Sequence, residues 1–556
     1  MSESAQPRNG GRILVDALVA NGVDAVYCVP GESYLPVLDA LYDATSVRTI
    51  TTRHEGAASN MADAYGKLTG RPGICFVTRG PGATHASNGV HTAREDSTPM
   101  ILFVGQVEQA FIGRGAFQEV DYRQMFGGLA KWVTQIDSTE RIPEIVAKAF
   151  NVALSGRPGP VVVALPEDVL FGSATVADAP AVRIAHAAPE PRALDELRAL
   201  LEQASRPLVI VGGTGWDSDA HRALERFVHA NNLPVAASFR RQDLFDNRDA
   251  HYVGQLGLGV SPKLAQRARD ADLLIVIGSR LGENTSSGYT LFDIPAPKQT
   301  MVHVHPDAAE LGRVYQARLP IHASLHAFAA SLEHVEPVGQ AVQARWRAWT
   351  ETARADYVAH SSPPAASAEI DGVDLAQVVA HLNEVLPDDA VIANGAGNYT
   401  VWVHRFYRYR RPATELAPTN GAMGYGFPAA IAAKLRDPKR QVVCFAGDGC
   451  FTMYPQELAT AVQFGAPLVV IVVNNGLYGT IRMHQEREYP GRISATGLQN
   501  PDFVAMARAF GAHAQRVERT EDFAAAFERA QAAGVPALIE LRTDPLQITP
   551  VSRLRG

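Results

Sequence analysis

The sequence predicts an α/β protein of three doubly wound domains, each built on a parallel sheet. Three observations predict it. Short apolar runs of about four to eight residues, each closing on a Gly, Pro or Asn turn, alternate with helical patterns, and that alternation yields parallel sheets. It occupies residues 10–172 and returns over 370–545, with another unit between them. The 556 residues, 46% hydrophobic and 20% charged, suit about three soluble domains of ~150 residues each. The expected boundaries are 1–175, 190–335 and 370–556.

In the first domain, residues 11–21 carry Ile13, Leu14, Ala17 and Leu18 at helical spacing. Ala25-Val26-Tyr27-Cys28-Val29 reads as a strand closing at Pro30-Gly31-Glu32. A second strand over 47–51 runs into Arg53-His54-Glu55-Gly56-Ala57-Ala58, where small residues begin a buried helix. Further strands over 74–78, 100–104 and 160–165 end in Arg79-Gly80-Pro81-Gly82-Ala83-Thr84, Gly105-Gln106-Val107 and Pro166-Glu167-Asp168.

An Ala/Pro-rich linker over 173–193 precedes the central domain. There the strand 207–211 ends in Gly212-Gly213-Thr214-Gly215, and the strand 273–277 in Gly278-Ser279-Arg280. His303 and His305 alternate on a third strand, 301–305, and read as a packed or solvated pair rather than a metal site. A polar helix over 344–360 leads into the linker Ser361-Ser362-Pro363-Pro364-Ala365-Ala366.

The third domain holds the stretch around which the chain is organised. Val442-Val443-Cys444-Phe445-Ala446 is a buried strand ending on Gly447-Asp448-Gly449. A helical stretch over 454–463 and a second apolar strand over 467–473 follow, ending on Asn474-Asn475-Gly476. Parallel strands joined by a crossover helix bring both ends to one sheet edge, where open α/β sheets bind ligands. A carboxylate and an amide oxygen are hard donors, suited to Mg2+ beside a phosphate.

Composition narrows the function. A net charge of −7 argues against a nucleic-acid partner. Four cysteines form no CxxC pair, and buried reduced thiols are expected. Met1-Ser2-Glu3-Ser4 lacks the order of a signal peptide, and no apolar run reaches the ~18–20 residues of a membrane span. The cytoplasm is the expected compartment, without a membrane partner.

Gly447-Asp448-Gly449, then about two dozen residues, then Asn474-Asn475 resembles the signature of thiamine diphosphate-dependent enzymes. A second, independent set resembles the N-terminal domain of acetolactate synthase-like members, in order. It comprises Pro30-Gly31, His54-Glu55-Gly56-Ala57-Ala58, Gly80-Pro81-Gly82-Ala83-Thr84, Gly105-Gln106-Val107, Ala116-Phe117-Gln118-Glu119 and Ser155-Gly156-Arg157-Pro158-Gly159-Pro160.

The resemblance implies the thiamine diphosphate-enzyme architecture, with two similar α/β domains flanking a third. It implies thiamine diphosphate and Mg2+ as cofactors. Asp448 and Asn475 would hold the metal by side chains, and Leu477 by its backbone carbonyl. The diphosphate would rest on Ala396, Gly397, Asn398 and Tyr399 and on the turn at Gly449-Cys450, with Gly447, Asp448 and Gly479 as further cofactor-binding residues. The backbone of Gly421 and Met423 would bond the pyrimidine, with the Met423 side chain between the two rings. Glu55 would share a proton with the pyrimidine N1′ and so activate the cofactor, while Glu32 and Gln118 are further candidate catalytic groups. The family site forms across a subunit interface, so a homodimer is the minimal unit and a homotetramer the common assembly.

The chain departs from the acetolactate synthase pattern at Glu32-Ser33-Tyr34, where a glycine and a small apolar residue are usual. Simple 2-oxo-acid decarboxylases carry a polar or acidic residue at the position of Glu32, but their His-His pair is absent here. Ser279-Arg280-Leu281-Gly282-Glu283-Asn284 replaces the run usual in flavin-binding members. Tightly bound FAD is therefore not expected, and nucleotide binding at Gly212-Gly213 stays open. The first reading is a carboligase or lyase acting on a small 2-oxo acid such as pyruvate. The second is a non-oxidative 2-oxo-acid decarboxylase that releases an aldehyde. The third, a non-catalytic nucleotide-binding or scaffold paralogue, conflicts with the retained Glu55, Asp448 and Asn475. The substrate depends on loops such as 482–492.

Overall fold

The computed structural model describes residues 6–365 and 370–554. Met1-Ser2-Glu3-Ser4, Ala366 of the second linker and the end of the third expected domain at Gly556 lie outside the described residues. Three six-stranded sheets form the frame. Every pairing within them is parallel, as expected of apolar runs joined by crossover helices.

The first and third sheets share one strand order. In the first, Ala25–Cys28 lies between Arg48–Thr51 and Gly73–Val77, followed by Met100–Gln106, Pro160–Pro166 and Trp132–Gln135. In the third, Val391–Asn394 lies between Glu415–Leu416 and Val442–Gly447, followed by Val469–Asn474, Ala537–Arg542 and His513–Val517. The central sheet runs Tyr252–Gln255, Val235–Ala237, Pro207–Val211, Leu273–Ile277, Thr300–His305, Leu319–His322. In each, the strand order reverses beside the first strand, which opens a crevice at the carboxyl ends.

Packing divides the chain into two compact units. One holds the described residues up to Ala185 together with Ile431–Pro438 and Tyr454–Ala466; the other holds His186–Ala430, Lys439–Met453 and the described residues from Pro467. The helix Glu457–Gln463, which joins the two strands of the Gly-Asp-Gly signature, thus belongs to the first unit. It starts three residues later than the pattern over 454–463 predicts, because residues 452–456 form turns. The loop expected over 482–492 is instead helical through Gly479–Glu488.

All four cysteines are free and buried. His303 and His305 are a packed pair, with His303 Nε2 at 2.9 Å from the Ser279 carbonyl. No helix among the described residues is long and apolar enough to cross a membrane.

Candidate active site

At the carboxyl edge of the third sheet lies a cavity of about 470 Å³. It is lined by Ala396, Gly397, Asn398, Tyr399, Gly421, Met423, Gly447, Asp448, Gly449, Cys450, Asn475, Leu477 and Gly479. Three helices begin on its wall: Tyr399–Phe406, Asp448–Phe451 and Gly479–Glu488. None has a side-chain hydrogen bond at its N-cap. Uncapped N-termini leave backbone N–H donors and positive partial charge, so three of them on one wall suit a polyanion such as a diphosphate.

Two turns there require glycine. Gly397 has φ +140, and a Cβ would approach the Tyr399 ring to 2.9 Å. A Cβ on Gly449 would come within 2.5 Å of the Tyr478 ring. The Tyr399 hydroxyl accepts from Gly395 N at 3.0 Å and stands 3.5 Å from Cys450 Sγ, which also accepts from Gly424 N at 3.1 Å. Tyr399 and Cys450 therefore tie three cavity turns together.

Asp448 is buried, which raises its carboxyl pKa, while donors from Asn500, Gly449 and Gly476 oppose the rise. Its Oδ2 accepts from Asn500 Nδ2 at 2.7 Å and Gly476 N at 2.9 Å, and its Oδ1 from Gly449 N at 2.9 Å. Asn475 Oδ1 accepts from Leu477 N at 3.1 Å, folding the chain back so that both residues face the cavity. A hard-oxygen set beside the uncapped helix ends fits Mg2+ with a diphosphate. Asn500 carries no motif signal; it reaches Asp448 only because the chain after Leu477 turns back, with Leu498 N bonded to Gly476 O.

The first unit holds the other cluster. Glu55 opens the helix Glu55–Thr69, but the cap is His54, whose Nδ1 accepts from Gly56 N at 3.0 Å. Glu55 Oε2 instead meets His85 Nδ1 at 2.8 Å, and the rings of His54 and His85 stack at 4.6 Å. Burial lowers the His54 pKa and His85 lowers it further, while Glu55 opposes the shift. A Cβ on Gly56 would lie 2.3 Å from the Tyr454 hydroxyl, so this close approach needs glycine. His85 carries no motif signal in the sequence, because its partner lies 30 positions away.

Family models for the thiamine pyrophosphate enzymes match this chain in three pieces. The N-terminal TPP binding domain matches residues 8–125, the central domain 194–332 and the C-terminal TPP binding domain 395–541. The chain is 35% identical over 544 residues to the acetolactate synthase large subunit of Parasynechococcus marenigrum, covering 95% of this chain and 87% of that protein. It is 32% identical over 542 residues to the acetolactate synthase isozyme 2 large subunit of Escherichia coli, covering 97% and 96%. To an acetolactate synthase of Mycobacterium bovis it is 33% identical over 542 residues, covering 95% and 86%. This chain belongs to the acetolactate synthase-like family of thiamine diphosphate enzymes.

Two further residues of this thiamine diphosphate enzyme can be placed. Glu32 is exposed and follows the strand Ala25–Cys28, whose Cys28 pairs with Thr51 of the strand leading to Glu55. It does not cap the next helix, which has Tyr34 at its N-cap and no side-chain cap. Gln118 has φ +65, and its carbonyl accepts from Gly80 N at 3.1 Å at the start of the helix that carries His85.

Glu457 supports the Glu55 turn from below. Its carboxylate accepts from Arg53 N at 3.0 Å and Thr460 Oγ1 at 2.6 Å. Burial pushes its pKa up to about 7 against those donors. Between about pH 4.5 and 7 the folded chain keeps a proton that the unfolded chain has released. This contribution to stability is full below the unfolded pKa and is lost as pH rises through about 7. Thermal melts across that window should show the wild type losing stability with pH more steeply than Glu457→Gln. Parallel melting profiles would contradict it.

Proposed function

We propose that this enzyme is a Mg2+- and thiamine diphosphate-dependent carboligase that joins pyruvate, or a similar small 2-oxo acid, to a second carbonyl compound. The observation that carries the reading is the convergence of three uncapped helix N-termini and the buried Asp448 on one cavity. Asp448, Asn475 and the Leu477 carbonyl hold Mg2+ in this reading. The turns at 396–399 and 447–450, with Gly479, hold the diphosphate. Gly421 and Met423 orient the pyrimidine, and Glu55 holds a proton at its N1′ nitrogen. Bound there, the cofactor supplies a nucleophilic carbon and an electron sink for loss of CO2. Glu55 comes from one chain and Asp448 from another, which makes a homodimer the minimal active unit and a homotetramer the expected assembly. The compartment is the cytoplasm.

A panel of 2-oxo acids with products identified by mass spectrometry tests this. Two pyruvates should give acetolactate and one CO2. Aldehyde as the sole product would select the decarboxylase reading, and no turnover with any 2-oxo acid would sink both.

One observation favours proton transfer as a competing outcome. The Glu32 carboxyl is exposed at the same sheet edge as Glu55 and is not spent on a helix cap. With thiamine diphosphate bound, decarboxylation of a 2-oxo acid can end either in protonation, giving an aldehyde, or in bond formation to a second carbonyl compound. A carboxyl group nearby favours the first. Glu32→Gly should therefore raise the ratio of carboligation product to aldehyde at fixed acceptor concentration. An unchanged partition and rate would remove Glu32 from the proton path.

Tightly bound flavin is expected to be absent. Gly213 packs so closely on Gly278 that a Cβ would stand 2.3 Å from the Gly278 carbonyl oxygen, and Ser279 holds Leu281 N at 3.2 Å. The two turns thus pack directly against each other. A flavin spectrum released on denaturing the purified protein would overturn this.

A further inference from the structure

Away from the cofactor residues, the central domain brings two imidazoles and a carboxylate to one point on its surface. His229 lies in the last turn of the helix Ser218–Asn231. Asp249 and His251 precede the edge strand Tyr252–Gln255. His229 Nε2 stands 2.8 Å from Asp249 Oδ2, and His251 Nδ1 stands 3.0 Å from Asp249 Oδ1. One donor atom from each of the three lies within 4.8 Å of the others.

The second observation is the setting of His251. Its Nε2 is 3.2 Å from Asn232 Oδ1 while its Nδ1 faces Asp249 Oδ1, so both ring nitrogens face oxygen acceptors. A neutral imidazole carries one N–H and can donate on one side only. With Nε2–H given to Asn232, the Nδ1 lone pair points at a carboxylate. A cation between them satisfies both, and metal-bound histidines commonly donate their other N–H to an oxygen in this way. A charged imidazolium is the competing arrangement.

The frame is already fixed. Asn232 is in the left-handed region, and its carbonyl accepts from Trp346 Nε1 at 3.1 Å and Thr350 Oγ1 at 3.0 Å. Asp249 Oδ1 accepts from His251 N at 2.7 Å, and the His251 carbonyl from Val235 N at 2.7 Å. Glu225, one helical turn before His229, interacts electrostatically with both His229 and Asp249 and adds a carboxylate to the same face.

We propose that His229, Asp249 and His251 form a surface site for a first-row transition-metal ion of the Zn2+ class, with Asn232 orienting His251. Two imidazole nitrogens select such an ion over Mg2+ or Ca2+, which take oxygen ligands. Metal–ligand bonds of about 2.0–2.2 Å require the 2.8 and 3.0 Å contacts to open slightly; the half-exposed His229 ring can open the first, and a small turn of the partly exposed Asp249 carboxylate the second. The ion would tie the end of the helix to the edge strand.

Calorimetric titration of the holoenzyme with Zn2+, with Mg2+ and thiamine diphosphate saturating, tests the proposal; Co2+ absorption is a second readout. Wild type should bind one more Zn2+ per chain than His229→Ala, an exposed helical position where alanine keeps the fold. Asn232→Gly, which tolerates the left-handed backbone, should weaken that site about 10–100-fold. Equal Zn2+ binding by wild type and His229→Ala, or no binding by wild type at about a tenfold excess of Zn2+, would leave only a solvated ion-pair cluster and overturn the site.

Discussion

Asp448→Ala is expected to abolish Mg2+-dependent binding of thiamine diphosphate. The carboxylate is buried at the edge of the cavity, and no other acidic side chain among the described lining residues shares the turns at 396–399 and 447–450. Without it, a diphosphate would enter a low-dielectric pocket with its metal one anionic ligand short. Leaving a buried charge uncompensated costs about 3–5 kcal/mol, or roughly a 10²–10⁴-fold loss of affinity. The fold should survive. Asn500 Nδ2 and Gly476 N, which lose Asp448 Oδ2, each keep Asn474 Oδ1, at 3.0 and 3.2 Å. Titrating the variant with cofactor at saturating Mg2+ reads the loss directly. Wild-type affinity would reduce Gly447-Asp448-Gly449 to a structural turn.

Glu55→Gln should leave the fold and some cofactor binding intact while nearly abolishing turnover. The helix it opens is capped by His54, and glutamine keeps an oxygen for the contact with His85 Nδ1. The amide cannot exchange a proton with the pyrimidine nitrogen. A positioned acid–base group contributes ~10²–10⁴-fold, so hydrogen exchange at C2 of the bound cofactor should slow by at least about tenfold. That measurement isolates activation of the cofactor from substrate binding and product release. An unchanged exchange rate would remove Glu55 from the mechanism.

Both variants rest on residues that are legible in the sequence because their signals are local. The Gly-Asp-Gly turn follows an apolar strand, the Asn pair ends the next one, and a crossover between parallel strands leaves little freedom in where the two ends meet. The supporting residues give no such signal. Asn500 binds Asp448 across 52 positions, and His85 meets Glu55 across 30. Neither spacing has a period or motif, since each depends on how a long segment folds back. The helix Gly479–Glu488 was equally hidden: its polar sequence, with no buried residue, lacks the apolar stripe that marks a helix.

The sequence by itself determined the α/β class, ten of the eighteen described strands of the three parallel sheets and the family, because strand burial and turn chemistry are written in neighbouring residues. Only the tertiary structure decided the strand orders, shared by the first and third sheets and different in the central one. It alone showed three uncapped helix ends on one cavity, and His229, Asp249 and His251 at one point. The physical reason is range. Hydrophobic periodicity and turn propensity act over a few residues, whereas a cavity wall or a cluster of donor atoms is set by contacts between segments far apart in the chain.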